Sequence, residues 1–208
     1  MSEQTSCALI LLAAGASTRM GRPKQLLPIQ GRPLLRHVAE AALAAPVSPL
    51  IIVLGAHAAE IAPCLNGLPV QVVVHAAWAE GMGASLRAGM EALARCQPEP
   101  ECVVIALADQ PDFSAGHIAQ LIATQQATGR PIVASAQGTV RGPPVLFTKK
   151  FYPALRALRG DTGARSLLQT HVHEVATVTL PPAPDLDTPA DYAAYLSRTG
   201  SSTSGPAA

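Results

Sequence analysis

The sequence predicts an α/β fold: a mostly parallel sheet with helices on both faces. Short apolar runs at 7–12, 50–54, 70–74, 102–107 and 131–134 read as buried strands. Helical patterns at 34–45, 58–65, 84–95 and 114–128 separate them, and that alternation calls for parallel strands joined by crossover helices. Composition sets the core chemistry. Hydrophobic residues make up 49% of the chain and aromatics only 3%, so the interior has to be built from Ala, Leu, Val and Ile.

The first run, 7–12, is continuously apolar, as a strand covered on both faces requires. Ser114 stands where an N-cap would precede the fourth helix. The pattern changes after residue 134. Gly142, Pro143 and Pro144 disfavour a central strand, so 139–147 is expected to be a loop feeding an irregular or edge strand. Helices are expected at 149–158 and 162–170, a strand at 172–180, and a closing helix at 189–196. Asp187 or Thr188 would cap that last helix, with Pro189 in its first turn. The 208 residues fit a single domain over 1–197. Residues 198–208, rich in Ser, Thr, Gly, Pro and Ala, are expected to be a disordered tail.

A formal net charge of +1 provides no global field for nucleic acid or an anionic membrane. No apolar run reaches membrane-spanning length and no secretory pattern precedes Leu9, so a cytoplasmic protein is expected. Cys7, Cys64, Cys96 and Cys102 lack C-x-x-C spacing and read as free thiols.

The most informative stretch runs from Leu11 to Lys24, Leu-Leu-Ala-Ala-Gly-Ala-Ser-Thr-Arg-Met-Gly-Arg-Pro-Lys. Small residues from Ala13 to Ser17 would let the backbone approach a polyphosphate, and Gly15 can take φ > 0 without steric cost. Successive amides in such a turn form an anion-binding nest. Arg19 adds a fork of donors and Lys24 a point charge. The stretch lacks both the Walker ending and G-x-G-x-x-G. Asp109 follows the buried run 102–107, where a carboxylate needs a cation or donors. It fits either Mg²⁺ ligation or helix capping.

The loop resembles the nucleotidyltransferase signature L-x-[AG]-G-x-S-x-R-M-G-x-x-K. Further matches follow in order: Trp78-Ala79-Glu80-Gly81-Met82-Gly83-Ala84-Ser85, Asp109-Gln110-Pro111, Arg141-Gly142-Pro143-Pro144, Gly160-Asp161-Thr162-Gly163-Ala164-Arg165 and Asp185-Leu186-Asp187-Thr188-Pro189. Together they resemble the molybdenum cofactor cytidylyltransferase family of the molybdopterin guanylyl- and cytidylyltransferase-like superfamily.

The resemblance implies a fold like that of nucleotide-diphospho-sugar transferases, which is Rossmann-like, with a nucleotide half over 7–134 and an acceptor half over 135–197. It implies Mg²⁺-dependent transfer of CMP from CTP to molybdopterin, with Mn²⁺ as an alternative metal. Lys24, Arg19 and Asp109 would carry catalysis. Leu12, Ala13, Ala14, Gly15, Arg19, Lys24, Gly81, Ser85 and Asp109 would bind the nucleotide, and Asp109 and Asp187 the metal. Asp185 and Asp187 are expected on opposite faces of a short extended piece, with at most one facing the metal; Asp187 is equally placed to cap the last helix. Asp191 reads as a solvated first-turn carboxylate. Arg141 and Arg165 read either as contacts to the acceptor phosphate or as surface ion-pair residues.

Ala14 resembles the cytidylyl rather than the guanylyl branch. His75 and Pro143 stand where relatives often carry Asn, or Asn or His, which leaves the acceptor open. Apo molybdenum hydroxylases of the xanthine oxidase type are the implied recipients of the product. The competing readings are guanylyl transfer, transfer to another small phosphate acceptor, and a non-catalytic carrier of the finished cofactor.

Overall fold

The computed structural model describes residues 6–161, 163–181 and 184–200. Its strands are β1 (Cys7–Ala13), β2 (Pro28–Ile29), β3 (Arg32–Pro33), β4 (Leu50–Leu54), β5 (Gln71–Val74), β6 (Cys102–Leu107), β7 (Ile132–Gln137), β8 (Val140–Thr148) and β9 (Val175–Thr179). Its α-helices are α1 (Leu34–Leu43), α2 (Ala58–Ile61), α3 (Met82–Leu93), α4 (Ala115–Thr128), α5 (Tyr152–Ala157), α6 (Arg165–Thr170) and α7 (Pro189–Gly200). Apart from the small β2–β3 ladder, the strands form one sheet ordered β5-β4-β1-β6-β8-β7-β9.

β1 pairs in parallel with both β4 and β6. After β1 the chain builds outward to β4 and β5, then returns to β6 on the other side. Ligands in such sheets bind beyond the carboxyl ends of the strands at this reversal. The loop after Ala13 and the turn at Asp109 both leave the sheet there.

The period-2 alternation of β1 divides the core between the two faces of the sheet. Leu9 and Leu11 pack with α1, α4 and Tyr195 of α7 on one face. Ala8, Ile10 and Leu12 pack with Leu86 and Met90 of α3, Leu155 of α5 and Leu168 of α6 on the other. As composition required, aliphatic residues fill most of both layers. Ser114 accepts from the His117 amide at 3.4 Å, as an N-cap should.

Several expectations are corrected. Segment 140–148 is not an edge: β8 lies inside the sheet, antiparallel to β6 and β7. Its prolines are tolerated because β6 pairs only with Val145–Thr148, so Pro143 and Pro144 lie past the end of that ladder. On the other side the register with β7 shifts between Ala134 and Ser135, where the Ser135 hydroxyl donates to the Pro144 carbonyl at 2.6 Å. The edges are β5 and β9. Segments 58–65 and 149–158 each divide into an α-helical and a 3₁₀ part. Helix α6 begins later than expected, and a 3₁₀ turn precedes β9. Helix α7 continues to Gly200, so the first residues of the expected tail are helical. The rest of that tail, 201–208, lies outside the described residues.

Gly89 shows how closely α3 sits on the sheet. A Cβ there would meet Ile10 Cγ2 at 2.8 Å and Val53 Cγ2 at 3.1 Å. Overpacking a well-filled core costs about 1–3 kcal/mol. Gly89→Val is therefore expected to lower the stability of the folded chain by about that amount, measured by denaturant unfolding. An unchanged midpoint would show that helix and sheet can separate there freely.

Candidate active site

A cleft of about 530 Å³ opens at the carboxyl ends of β1 and β6. Its walls include Leu12, Ala13, Ala14, Gly15, Arg19, Lys24, Gly81, Ser85 and Asp109, every residue expected at the nucleotide. Asp187, expected at the metal, lines it too. A second cavity of about 400 Å³ adjoins it, and Leu12, Met82, Leu107, Asp161 and Asp185 line both. Arg141 and Arg165 line the second cavity. The two sets of expected residues thus occupy neighbouring halves of one continuous depression.

The loop after β1 turns at Ser17, whose φ is 56°, and again at Gly21, whose φ is 74°. Gly15, free to take a positive φ, does not use that freedom. A Cβ on it would meet no protein atom within 4 Å. Its lack of a side chain keeps the space over the loop open.

Lys24 begins a 3₁₀ turn, Lys24–Leu26, directly after Pro23. Its Nζ donates to Asp109 Oδ2 at 2.7 Å and to Asp187 Oδ1 at 2.8 Å. Arg19 donates to the other oxygen of Asp187 at 2.8 Å. One ammonium thus joins the loop after β1, the end of β6 and the segment before α7. Burial alone would push the Lys24 pKa down, but the charges and hydrogen bonds of Asp109 and Asp187 outweigh it and hold the pKa above the usual lysine range. The hydrogen bond from Lys24, with the charges of Lys24 and Arg19, holds the Asp187 carboxyl below the ordinary aspartate range. The second oxygen of Asp109, Oδ1, is buried and has no hydrogen-bond partner.

Asp185 and Asp187 both line the cleft, rather than lying on the opposite faces expected of them. In an extended chain neighbours alternate, so residues two apart share a face. Leu186 between them is fully buried, and its amide donates to the Asp109 carbonyl at 2.9 Å. Asp185 accepts from the Gln110 side chain at 3.1 Å. Burial, reinforced by the negative charge of Asp109, raises its pKa.

The cap of α7 is also settled. Thr188 Oγ1 accepts from the Asp191 amide at 3.2 Å, and Asp191 accepts from the Thr188 amide at 2.8 Å. This reciprocal arrangement is a capping box, so Asp187 is not needed as the cap. Asp191, a first-turn carboxylate as expected, is also the capping partner.

Trp78, the only tryptophan, lines the cleft beside Ala14 and Gly81. A Cβ on Gly55 would lie 2.5 Å from Trp78 Cβ and 2.6 Å from the Ala14 carbonyl, so glycine allows this close approach. Gly81 takes φ 110°, and a Cβ there would strike Asp161 and Gly160. The Gly83 amide donates to the Gly160 carbonyl at 2.8 Å, bringing Gly160 against the start of α3. Of the cleft-lining polar residues, Asp161 stands out in the sequence only as part of the 160–165 motif, and Gln25 lies outside every motif. Gln25 left one local signal, a polar residue between Lys24 and the apolar pair Leu26-Leu27. His75 does not line either cavity, and its Nε2 is buried without a partner.

Comparison with known proteins agrees with this geometry. The MobA-like NTP transferase domain matches residues 9–175, and the chain belongs to that family. It is an enzyme of the nucleotidyltransferase class. Nicotine blue oxidoreductase of Paenarthrobacter nicotinovorans is 36% identical over 169 residues, 77% of this chain and 80% of that protein. Purine catabolism protein PucB of Bacillus subtilis is 30% identical over 170 residues, with the same coverage of 77% and 80%. The structure of Rv0371c of Mycobacterium tuberculosis in complex with manganese is 29% identical, with a TM-score of 0.78 over 93% of this chain and 99% of that one. Among the described residues no helix is long and apolar enough to cross a membrane.

The ion-pair network gives a pH signature. A carboxyl whose folded pKa is depressed contributes stability above its unfolded pKa, about 3.9, and loses that contribution as pH falls through the folded value. The Asp187 carboxyl should therefore titrate below the ordinary range in an NMR titration, and Lys24→Met should move it back up. An Asp187 that titrates identically in both proteins would contradict the bridge.

Proposed function

We propose that the chain transfers CMP from CTP to molybdopterin, releasing pyrophosphate and forming a cytosine dinucleotide cofactor. One observation carries the reading: the small-residue loop, Lys24, Arg19 and Asp109 meet in one cleft that continues into a second cavity edged by Arg141 and Arg165. The triphosphate would lie on the loop, the base against Gly81 and Ser85, and the acceptor in the second cavity. There its apolar walls suit a ring system and the guanidinium groups suit a phosphate.

In this reading the acceptor phosphate attacks the α-phosphorus and pyrophosphate leaves. No protein nucleophile is required; positioning and charge stabilisation supply the catalysis. Lys24 would neutralise the α-phosphate, and Arg19 would hold the β- and γ-phosphates. Four carboxylates, Asp109, Asp161, Asp185 and Asp187, line the cleft against the cations Arg19 and Lys24. A triphosphate entering it needs further positive charge. The partnerless Asp109 Oδ1, and the convergence of Asp109 and Asp187 on one ammonium, suit a divalent metal held by these two carboxylates. Mg²⁺, or Mn²⁺ as in the Rv0371c structure, would supply charge compensation on the phosphates.

The purine-catabolism name of PucB suits transient contact with an apo molybdenum hydroxylase of the xanthine oxidase type. The free cysteines suit a cytoplasmic location. A second reading comes from the relative named an oxidoreductase. It would require a hydride donor in the same cleft, and oxidation of NADH or NADPH by a quinoid dye without any triphosphate would favour it.

The test supplies protein, Mg²⁺ and molybdopterin with each nucleoside triphosphate and measures pyrophosphate. Release is expected with CTP in preference to GTP, and equal release would overturn the cytidylyl assignment. Lys24→Ala should lose at least about tenfold in rate, a transition-state cost above about 1.4 kcal/mol. Unchanged turnover would remove Lys24 from the mechanism.

A further inference from the structure

Gln25 has no part in the chemistry above, yet it is among the few fully buried polar residues, at 2% exposure. Its Nε2 donates to the Ala13 carbonyl at 2.9 Å and to the Gly15 carbonyl at 3.1 Å. Two carbonyls on one side fix which amide atom is the nitrogen. Its Oε1 accepts from the Ser17 hydroxyl at 3.3 Å, and Ser17 Oγ accepts from the Lys24 amide at 3.1 Å. Ser17 is the loop residue with positive φ, a conformation that costs a non-glycine residue energy and persists only when surrounding bonds hold it.

In a planar trans peptide the C=O and N–H point in opposite directions. With the Ala13 and Gly15 carbonyls turned onto Gln25, the amides of Ala14 and Ala16 face away from it. The Ala14 carbonyl accepts from the Ala56 amide at 3.0 Å, which turns the Gly15 amide away from Ala56. Within the described chain no backbone carbonyl accepts from the amides of Ala14, Gly15 or Ala16. Both Ala14 and Gly15 line the cleft.

We propose that Gln25 is a positioning residue whose buried side-chain amide sets the peptide planes of the loop, so that the amides of Ala14, Gly15 and Ala16 form a phosphate cradle in register with Lys24. The proposal rests on the nucleotide reading of the cleft and adds the residue that shapes it. Gln25 adjoins Lys24 in the 3₁₀ turn, and Ser17 bonds to both. One strut therefore fixes the amides and the ammonium relative to each other. A carboxylate at this position would have no donor for the two carbonyls, and a thioether would fill the space without bonding to them.

The test measures binding of inorganic tripolyphosphate with Mg²⁺, read by Trp78 fluorescence, for the wild type, Gln25→Met and Gln25→Glu. Both variants should bind about tenfold more weakly or worse, a difference of about 1.4 kcal/mol. In the transfer assay the KM for CTP should rise while the KM for the acceptor stays unchanged. A folded variant that binds tripolyphosphate like the wild type overturns the proposal, as does an equal loss for both substrates. On the wild type itself, tripolyphosphate should shift the NMR signals of the Ala14, Gly15 and Ala16 amides; if those signals stay fixed, the cradle is wrong whether or not the variants fold. Tripolyphosphate binding with normal Gln25 dependence but no nucleotidyl transfer would instead sink the function proposed above and leave the cradle intact.

Discussion

The cleft depends on one ammonium group. Lys24 lies between Asp109 and Asp187, and through them ties together three segments far apart in sequence. Its side chain is 17% exposed and that of Asp109 is 15% exposed. At that burial neither charge could be left alone without a large desolvation cost. Removing one partner would leave the other as an uncompensated, mostly buried charge. The pairing therefore constrains where the loop, the end of β6 and the segment before α7 can sit. The same three groups face the open cleft, so the contact that closes the structure is also the one a ligand must engage.

The sheet supplies the frame for that contact. β1 and β6 are paired in register from Cys7↔Cys102 to Leu12↔Leu107, which brings Ala13 and Asp109 to the same end of the sheet. Leu186 anchors the third segment by burying its side chain and donating to the Asp109 carbonyl. Asp185 and Asp187 then project together from either side of that anchor. On the opposite wall, Gly55, Gly81 and Gly163 allow Trp78, Asp161 and Met82 to approach more closely than a Cβ would permit.

Much of this was legible in the sequence because its physical signal is local. The continuous apolar runs at 50–54 and 102–107 match β4 and β6 residue for residue, since a strand buried on both faces has no polar positions to blur its ends. The small-residue loop with Arg19 and Lys24 was equally plain. What escaped is non-local. Pro143 and Pro144 argue against a central strand only if both neighbours pair with them, and the ladder with β6 stops at Val145, before they are reached. Gly15 is the residue most free to take φ > 0, but it is Ser17 that bonds to Gln25 and Lys24 hold in the left-handed region. Asp161 and Asp185 lie outside regular secondary structure, where periodicity says nothing about direction.

We propose that the loop after β1 holds a triphosphate while Asp109 and Asp187 hold its metal. A crystal structure with Mg²⁺ and a CTP analogue whose α–β bridge is a methylene tests it most directly. Phosphate oxygens are expected on the Ala14–Ala16 amides, the metal between Asp109 and Asp187, and the base beside Gly81 and Ser85. Phosphates seated instead in the neighbouring cavity between Arg141 and Arg165, with Lys24 still bridging both carboxylates, would contradict it.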